Sequence, residues 1–180
     1  MQRITPQHPV RIIGLDPGLN HTGWGVIETS GNTLHYIACG RITTAQKNNR
    51  LQTEPMGERL TSLYIGLKKI IETYSPHEAA LEETFMNKNA VSALKLGMAR
   101  GVVMLAPAQA GISVAEYSAN LVKKSISGYG HADKNQVAQM VKLLLPSAEL
   151  ESPDAADALA IAVCHAHHRV SNALLKEARA

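Results

Sequence analysis

The shortages in this sequence are informative. Its 180 residues include two cysteines, Cys39 and Cys164, with no CxxC spacing. That excludes a disulfide framework or a ribbon-type zinc site and suits small buried thiols in a reducing compartment. Aromatic residues are 4% of the chain, with one phenylalanine. No uninterrupted apolar run approaches the roughly 18 residues that span a bilayer; the one around Val102 to Ala106 is too short. Met1 to Pro9 carries Arg3 and two prolines but no hydrophobic stretch of a secretory signal, so a cytosolic address without a membrane partner is expected. Charge of one sign is also lacking. Eighteen Lys and Arg against fifteen Asp and Glu leave +3, and no polybasic tail announces a polyanionic partner.

What is present is ordinary globular composition, 45% hydrophobic and 18% charged. A chain of this mass hides roughly 70% of its surface on folding, enough for one domain with a sizeable core. A single domain over 1–180 is expected, ordered from about 10 to 168 and fraying at both ends. Val10 to Leu15 is a β-branched run halted by Asp16-Pro17-Gly18, which reads as a buried strand entering a turn. Trp24 to Thr29 and Leu34 to Ile42, separated by Ser30-Gly31-Asn32, predict an antiparallel meander. Leu60, Leu63, Tyr64, Leu67, Ile70 and Ile71 have helical spacing, ending before Pro76. Glu78 to Glu82 predicts a short buried strand, and Ile112 to Tyr117 another. Asn89 is placed to cap a helix reaching about Ala106; Ser118, Asp133 and Ser152 are placed to cap three more, the last with Pro153 at its first position. The sum is an α/β domain with a mixed five-stranded sheet and helices on both faces.

Four carboxylates fall at the ends of these elements: Asp16, Glu82, Asp154 and Asp157. Singly, the first three have ordinary explanations, as a turn residue, an exposed strand tip and a complement to the helix dipole. Asp157 lies within Ala155 to Ala162, apolar almost all round, where a carboxylate requires a partner or a cation. Asp154 and Asp157 share one helical face. If the strand ends and that first turn meet at one edge of the sheet, four like charges need compensation, and oxygen-only ligands suit a hard cation such as Mg²⁺ or Mn²⁺.

Gly14-Leu-Asp-Pro-Gly18, Leu81-Glu-Glu-Thr-Phe-Met-Asn-Lys-Asn89, Ser92-Ala-Leu-Lys-Leu-Gly97 and Asp154-Ala-Ala-Asp-Ala-Leu-Ala160 occur in that order. Together they resemble the RuvC family of Holliday-junction resolvases, in register from about Ile12 to about His168. The resemblance implies a ribonuclease H-like fold and a homodimeric, Mg²⁺-dependent endonuclease acting on four-way junction DNA. It implies Asp16, Glu82, Asp154 and Asp157 as catalytic metal ligands for two ions per site, Mn²⁺ being a possible substitute. The products would be 5′-phosphate and 3′-hydroxyl ends. Glu83 beside Glu82 leaves that assignment ambiguous. The resemblance also implies work alongside a branch-migration motor of the RuvA and RuvB type, although no motif displays a docking surface.

Lys123, Lys124, His131 and Lys134 flank a Gly128-Tyr129-Gly130 loop. On spacing alone they read as solvated surface; the resemblance implies that Lys123 and Lys134 contact DNA, with Lys124 beside them. Phe85 reads either as core filler or, by resemblance, as a wedge stacking on an unpaired base, with Lys88 and Asn89 as backbone contacts. Cys164, His165, His167 and His168 read as a polar helix end because His167 faces away from its neighbours. The apolar residues from Val91 to Leu105 cover much of their helix, which suits either a helix sandwiched within one chain or, with small Gly97, Ala99 and Gly101, close approach of a second copy. Two rival functions remain. An actin-like phosphotransferase also opens on a strand ending Asp-x-Gly but needs a second phosphate loop, and a silent junction-binding protein would not need four acids.

Overall fold

The computed structural model describes residues 8–44, 55–83, 89–130 and 132–177, with side chains as far as Arg169. The meander forms as β1 (Val10–Asp16), β2 (His21–Ser30) and β3 (Thr33–Thr43), followed by α1 (Met56–Tyr74), β4 (Glu78–Glu82), α2 (Ala90–Gln109) and β5 (Ser113–Tyr117). Three helices complete the chain: α3 (Ala119–Ser127), α4 (Lys134–Leu144) and α5 (Pro153–Glu177). The strands form one sheet in the order β3-β2-β1-β4-β5, with β1–β2 and β2–β3 antiparallel and β1–β4 and β4–β5 parallel.

Alternation along the strands decides which face each helix covers. Ile13, Leu15, Ala79 and Leu81 pack against Leu63, Leu67 and Ile71 of α1 and Ala99 and Val103 of α2. Ile12, Ala80 and Tyr117 face the other way, against α3, α4 and α5. Local chemistry sets the helix starts. The Asn89 side chain accepts from the backbone N–H groups of Val91 and Ser92. Ser118 accepts from Leu121, Asp133 and Gln136 form a reciprocal capping box, and Ser152 Oγ accepts from Ala155.

Three boundaries differ from the sequence expectation. α2 runs past Ala106 to Gln109 with Pro107 inside it, because its last turn is closed by bonds from Ala110 and Ile112 to the Pro107 carbonyl. α5 continues to Glu177 rather than ending near His168. Finally, although no uninterrupted apolar run is long, α2 as a whole is long and apolar enough to cross a membrane by length and composition. Its buried side, Ala99, Val103 and Ala106, packs into the domain core, and Lys95 and Arg100 interrupt its sequence.

Candidate active site

Cross-strand register places one row of residues under the start of α5. Arg41 on β3 lies opposite Gly23 on β2, and Gly23 opposite Asp16 on β1. Leu15 lies beside Leu81, so the next step along both strands brings Asp16 to Glu82, which is paired with Tyr117 on β5. Alternation sends Asp16 and Glu82 to the α5 face with Ile12 and Ala80, whereas Glu83 follows the strand and gives its N–H to the Tyr117 carbonyl. By this alternation Glu82, rather than Glu83, lies on the α5 side of the sheet.

Glycines allow α5 to settle on this row. A methyl group on Gly14 would overlap the Ala158 carbonyl oxygen and lie 2.6 Å from the Ala162 nitrogen, and one on Gly23 would overlap the Asp154 carbonyl. On Gly25 it would lie 2.7 Å from the Leu159 side chain. The helix answers with Ala155, Ala156, Ala158, Ala160 and Ala162, all buried. Small residues on both surfaces therefore press the first turn of α5, carrying Asp154 and Asp157, towards Asp16 and Glu82.

The electrostatics record that crowding. Burial, followed by the charges of Asp157, Glu82 and Asp154, pushes the Asp16 carboxyl up from 3.8 to about 7. Burial and then Asp157 also raise Glu82, while Lys123 and Lys134 oppose the shift. Two cations answer the α5 acids directly: Lys134 Nζ is 3.3 Å from Asp157 Oδ2, and Arg41 Nη1 is 3.6 Å from Asp154 Oδ2. The Asp157 charge in turn raises the Lys134 ammonium. Among the described residues no group of three or more such side chains converges as a ready metal cage. The donor set nevertheless fits a hard divalent cation. Its ligands are oxygen alone, and the burial and like-charge crowding that lift the Asp16 carboxyl to about 7 are what a cation at this point would relieve.

The other sequence candidates are spread around this centre. Lys123 on α3 acts on Glu82 through its charge. Lys124, in the last turn of α3, lines a shallow groove with Leu121, Ser125, His167 and His168. Asn89 caps α2, and its carbonyl oxygen is engaged there. Phe85, Lys88 and His131 lie outside the described residues. Cys164 is buried, whereas Cys39 is only half-buried, its thiol directed at the Glu149 carbonyl.

Sequence reasoning missed Arg41, since only strand register reveals that it reaches Asp154. It also missed Arg100, which donates to the Glu82 backbone carbonyl at 2.7 Å and pairs with Glu116. His165 is not part of a polar helix end: it is 6% exposed, with one ring nitrogen 2.8 Å from Glu78 Oε2 and the other 2.8 Å from the Tyr117 hydroxyl. A Glu at the start of β4 and a Tyr at the end of β5 were the available signals.

A family model described as crossover junction endodeoxyribonuclease RuvC matches residues 12–165. A protein of that description from Rhodopseudomonas palustris is 57% identical over 170 residues, 94% of each chain. One from Bradyrhizobium diazoefficiens is 58% identical over 166 residues, covering 92% of this chain and 91% of that one. Among solved structures, Thermus thermophilus RuvC in complex with a Holliday junction substrate superposes with a TM-score of 0.79 at 32% identity, covering 90% of this chain and 96% of that one. The yeast mitochondrial Holliday junction resolvase Ydc2, at 17% identity and TM-score 0.57, shares the fold.

Proposed function

The chain belongs to the RuvC family of crossover junction endodeoxyribonucleases, and on that premise we propose that it resolves Holliday junctions by hydrolysis at the acidic end of its sheet. The observation carrying this reading is that Asp16 and Glu82, from two adjacent parallel strands, lie near enough to Asp157 for its charge to act on both, with Asp154 acting on Asp16 as well. These four residues would hold Mg²⁺, in two positions, with Mn²⁺ as a substitute. Bound there, the metal supplies Lewis-acid stabilisation of charge on the phosphate and lowers the pKa of a coordinated water.

The chain's own groups do the rest. Asp16, its carboxyl raised to about 7 by burial and the neighbouring acids, would be drawn to its ionised form by a bound cation, so metal binding would release protons near neutral pH. Lys134 has a side chain that is 79% exposed, so its ammonium is free to exchange Asp157 for a DNA phosphate. Lys123 lies close enough to act on Glu82 and would meet the same strand; Lys124 and Asn89, and by sequence alone Lys88, are proposed as further DNA contacts. Phe85 is the proposed wedge at the junction centre, three residues past Glu82. The products are 5′-phosphate and 3′-hydroxyl ends.

A homodimer supplies the second cut. The outer face of α2 exposes Val91, Leu94, Met98 and Leu105, and among the described residues nothing beyond the helix's own adjacent backbone comes within 4 Å of the Cβ positions of Gly97 or Gly101. An apolar face with gaps for close helix approach suits a two-fold partner, matching the symmetry of the junction. A motor of the RuvA and RuvB type is the proposed partner in branch migration. The presence of all four acids disfavours a silent junction-binding protein.

The test is direct. A synthetic four-way junction in Mg²⁺ is expected to yield two nicks at symmetric positions and ligatable duplexes, with linear duplex left intact. Binding without any nicking would turn the reading to the silent alternative.

A further inference from the structure

The buried histidine on α5 belongs to a chain of hydrogen bonds that spans three elements. Arg169 Nη2 donates to Glu78 Oε1 at 2.7 Å and its Nε to Oε2 at 3.1 Å. His165 Nε2 lies 2.8 Å from the same Oε2, and its Nδ1 lies 2.8 Å from the Tyr117 hydroxyl. The Tyr117 and His165 rings meet edge to face with centroids 5.7 Å apart. At its other end Tyr117 is the register partner of Glu82, and its carbonyl accepts the N–H of Glu83 at 2.8 Å. One residue thus holds the strand tip that carries Glu82 and reaches back to the helix that carries Asp157.

Two spans agree. Asp157 and His165 are eight residues apart on α5, about 12 Å at helical rise. Glu78 and Glu82 are four apart on β4, about 13 Å at strand rise. The acid pair and the Glu78–His165 pair are therefore opposite ends of one seam along which β4 and α5 run antiparallel. Between them α5 meets the sheet through close apolar contacts, the Ala158 backbone and Ala162 on Gly14 and Leu159 on Gly25. These fix how close the helix lies, but apolar contact is in itself non-directional. Directional hydrogen bonds at the far end supply the axial stop.

We infer that Tyr117 and His165 are positioning residues for the cleavage site, with Glu78 and Arg169 locking His165, and that together they set the axial register of Asp157 and Asp154 against Glu82 and Asp16. This rests on the reading of the four acids as the metal site. A helix displaced by about 1 Å costs catalysis roughly a hundredfold while leaving distant contacts in place.

The test uses Tyr117→Phe, which keeps the ring and removes the hydroxyl, and Glu78→Gln, which keeps the shape and removes the charge. Three quantities are compared with wild type below each variant's melting temperature: nicking rate on a four-way junction in Mg²⁺, junction affinity in Ca²⁺, and Mn²⁺ affinity by calorimetry without DNA. Val141→Ala, a cavity variant in the same buried layer that removes none of the seam's hydrogen bonds, controls for lost stability. Expected for either seam variant are a fall in nicking of about tenfold to a hundredfold, weaker Mn²⁺ binding, and junction affinity within about twofold of wild type, whereas Val141→Ala melts lower but keeps rate and metal affinity. Wild-type nicking and Mn²⁺ affinity in the folded seam variants would overturn the inference, as would an equal loss in Val141→Ala. If Tyr117→Phe does not fold, Glu78→Gln carries the same comparison. A wild-type protein that fails to nick would instead overturn the reading of the acids as a nuclease site.

Discussion

Lys134 Nζ stands 3.3 Å from Asp157 Oδ2, although the two residues lie near the starts of different helices, α4 and α5. The exposed lysine is therefore a counter-ion of the cluster as well as a proposed DNA contact, and it differs in this from Lys123, whose influence reaches Glu82 through charge alone.

Lys123→Ala is expected to weaken junction binding and to make the plot of log affinity against log salt shallower by about one unit. Lys134→Ala is expected to do the same and, in addition, to slow nicking of bound junction, because it leaves Asp157 without its partner and raises the Asp16 carboxyl further. Binding at several salt concentrations and single-turnover nicking at saturation separate the two. Identical behaviour of the two variants in both assays would remove Lys134 from the cluster.

Stability of the metal-free protein should depend on pH in two windows of opposite sign. The Asp16 carboxyl titrates at about 7 when folded and 3.8 when unfolded, so between those values the folded state binds more protons and stability falls as pH rises. Glu78 runs the other way. Held at about 2 by His165 and Arg169 against an ordinary 4.5, it contributes stability that is lost as pH falls through that interval. Melting temperatures in a chelator are expected to peak where the two windows meet, and Asp16→Asn should lessen the decline towards neutral pH, leaving the part contributed by Glu82, which is raised as well. An undiminished decline in Asp16→Asn would place its origin elsewhere.

Most of the fold was legible because its signals are local. The caps Asn89, Ser118, Asp133 and Ser152 act within three residues. The four acids were legible because each interrupts or ends an apolar run. What escaped depends on register across the sheet. Arg41 reaches Asp154 only because β3, β2 and β1 align Arg41, Gly23 and Asp16 in one row. His165 read as part of a polar helix end because its partner Glu78 lies 87 residues away. α2 runs three residues past Ala106 because the turn around Pro107 is closed from beyond it, by the N–H groups of Ala110 and Ile112 on the Pro107 carbonyl, a pairing the local sequence does not display.

The outer face of α2 carries the dimer proposal. Leu94→Glu, at a side chain 63% exposed, should leave folding intact and convert a sedimenting dimer to a monomer. On a junction the monomer is expected to give single, unpaired nicks. A variant that stays dimeric and cuts in pairs would move the interface to another surface.

The central claim is that Asp16, Glu82, Asp154 and Asp157 act together as metal ligands for cutting rather than as structural charges. It is tested most directly by measuring junction binding and nicking side by side for Asp16→Asn, Glu82→Gln, Asp154→Asn and Asp157→Asn, in Mg²⁺ and in Ca²⁺. Each variant is expected to bind the junction within a few-fold of wild type and to lose nicking by at least about a hundredfold, while wild type binds but does not cut in Ca²⁺. Any one of the four nicking at the wild-type rate in Mg²⁺ would contradict the four-acid site.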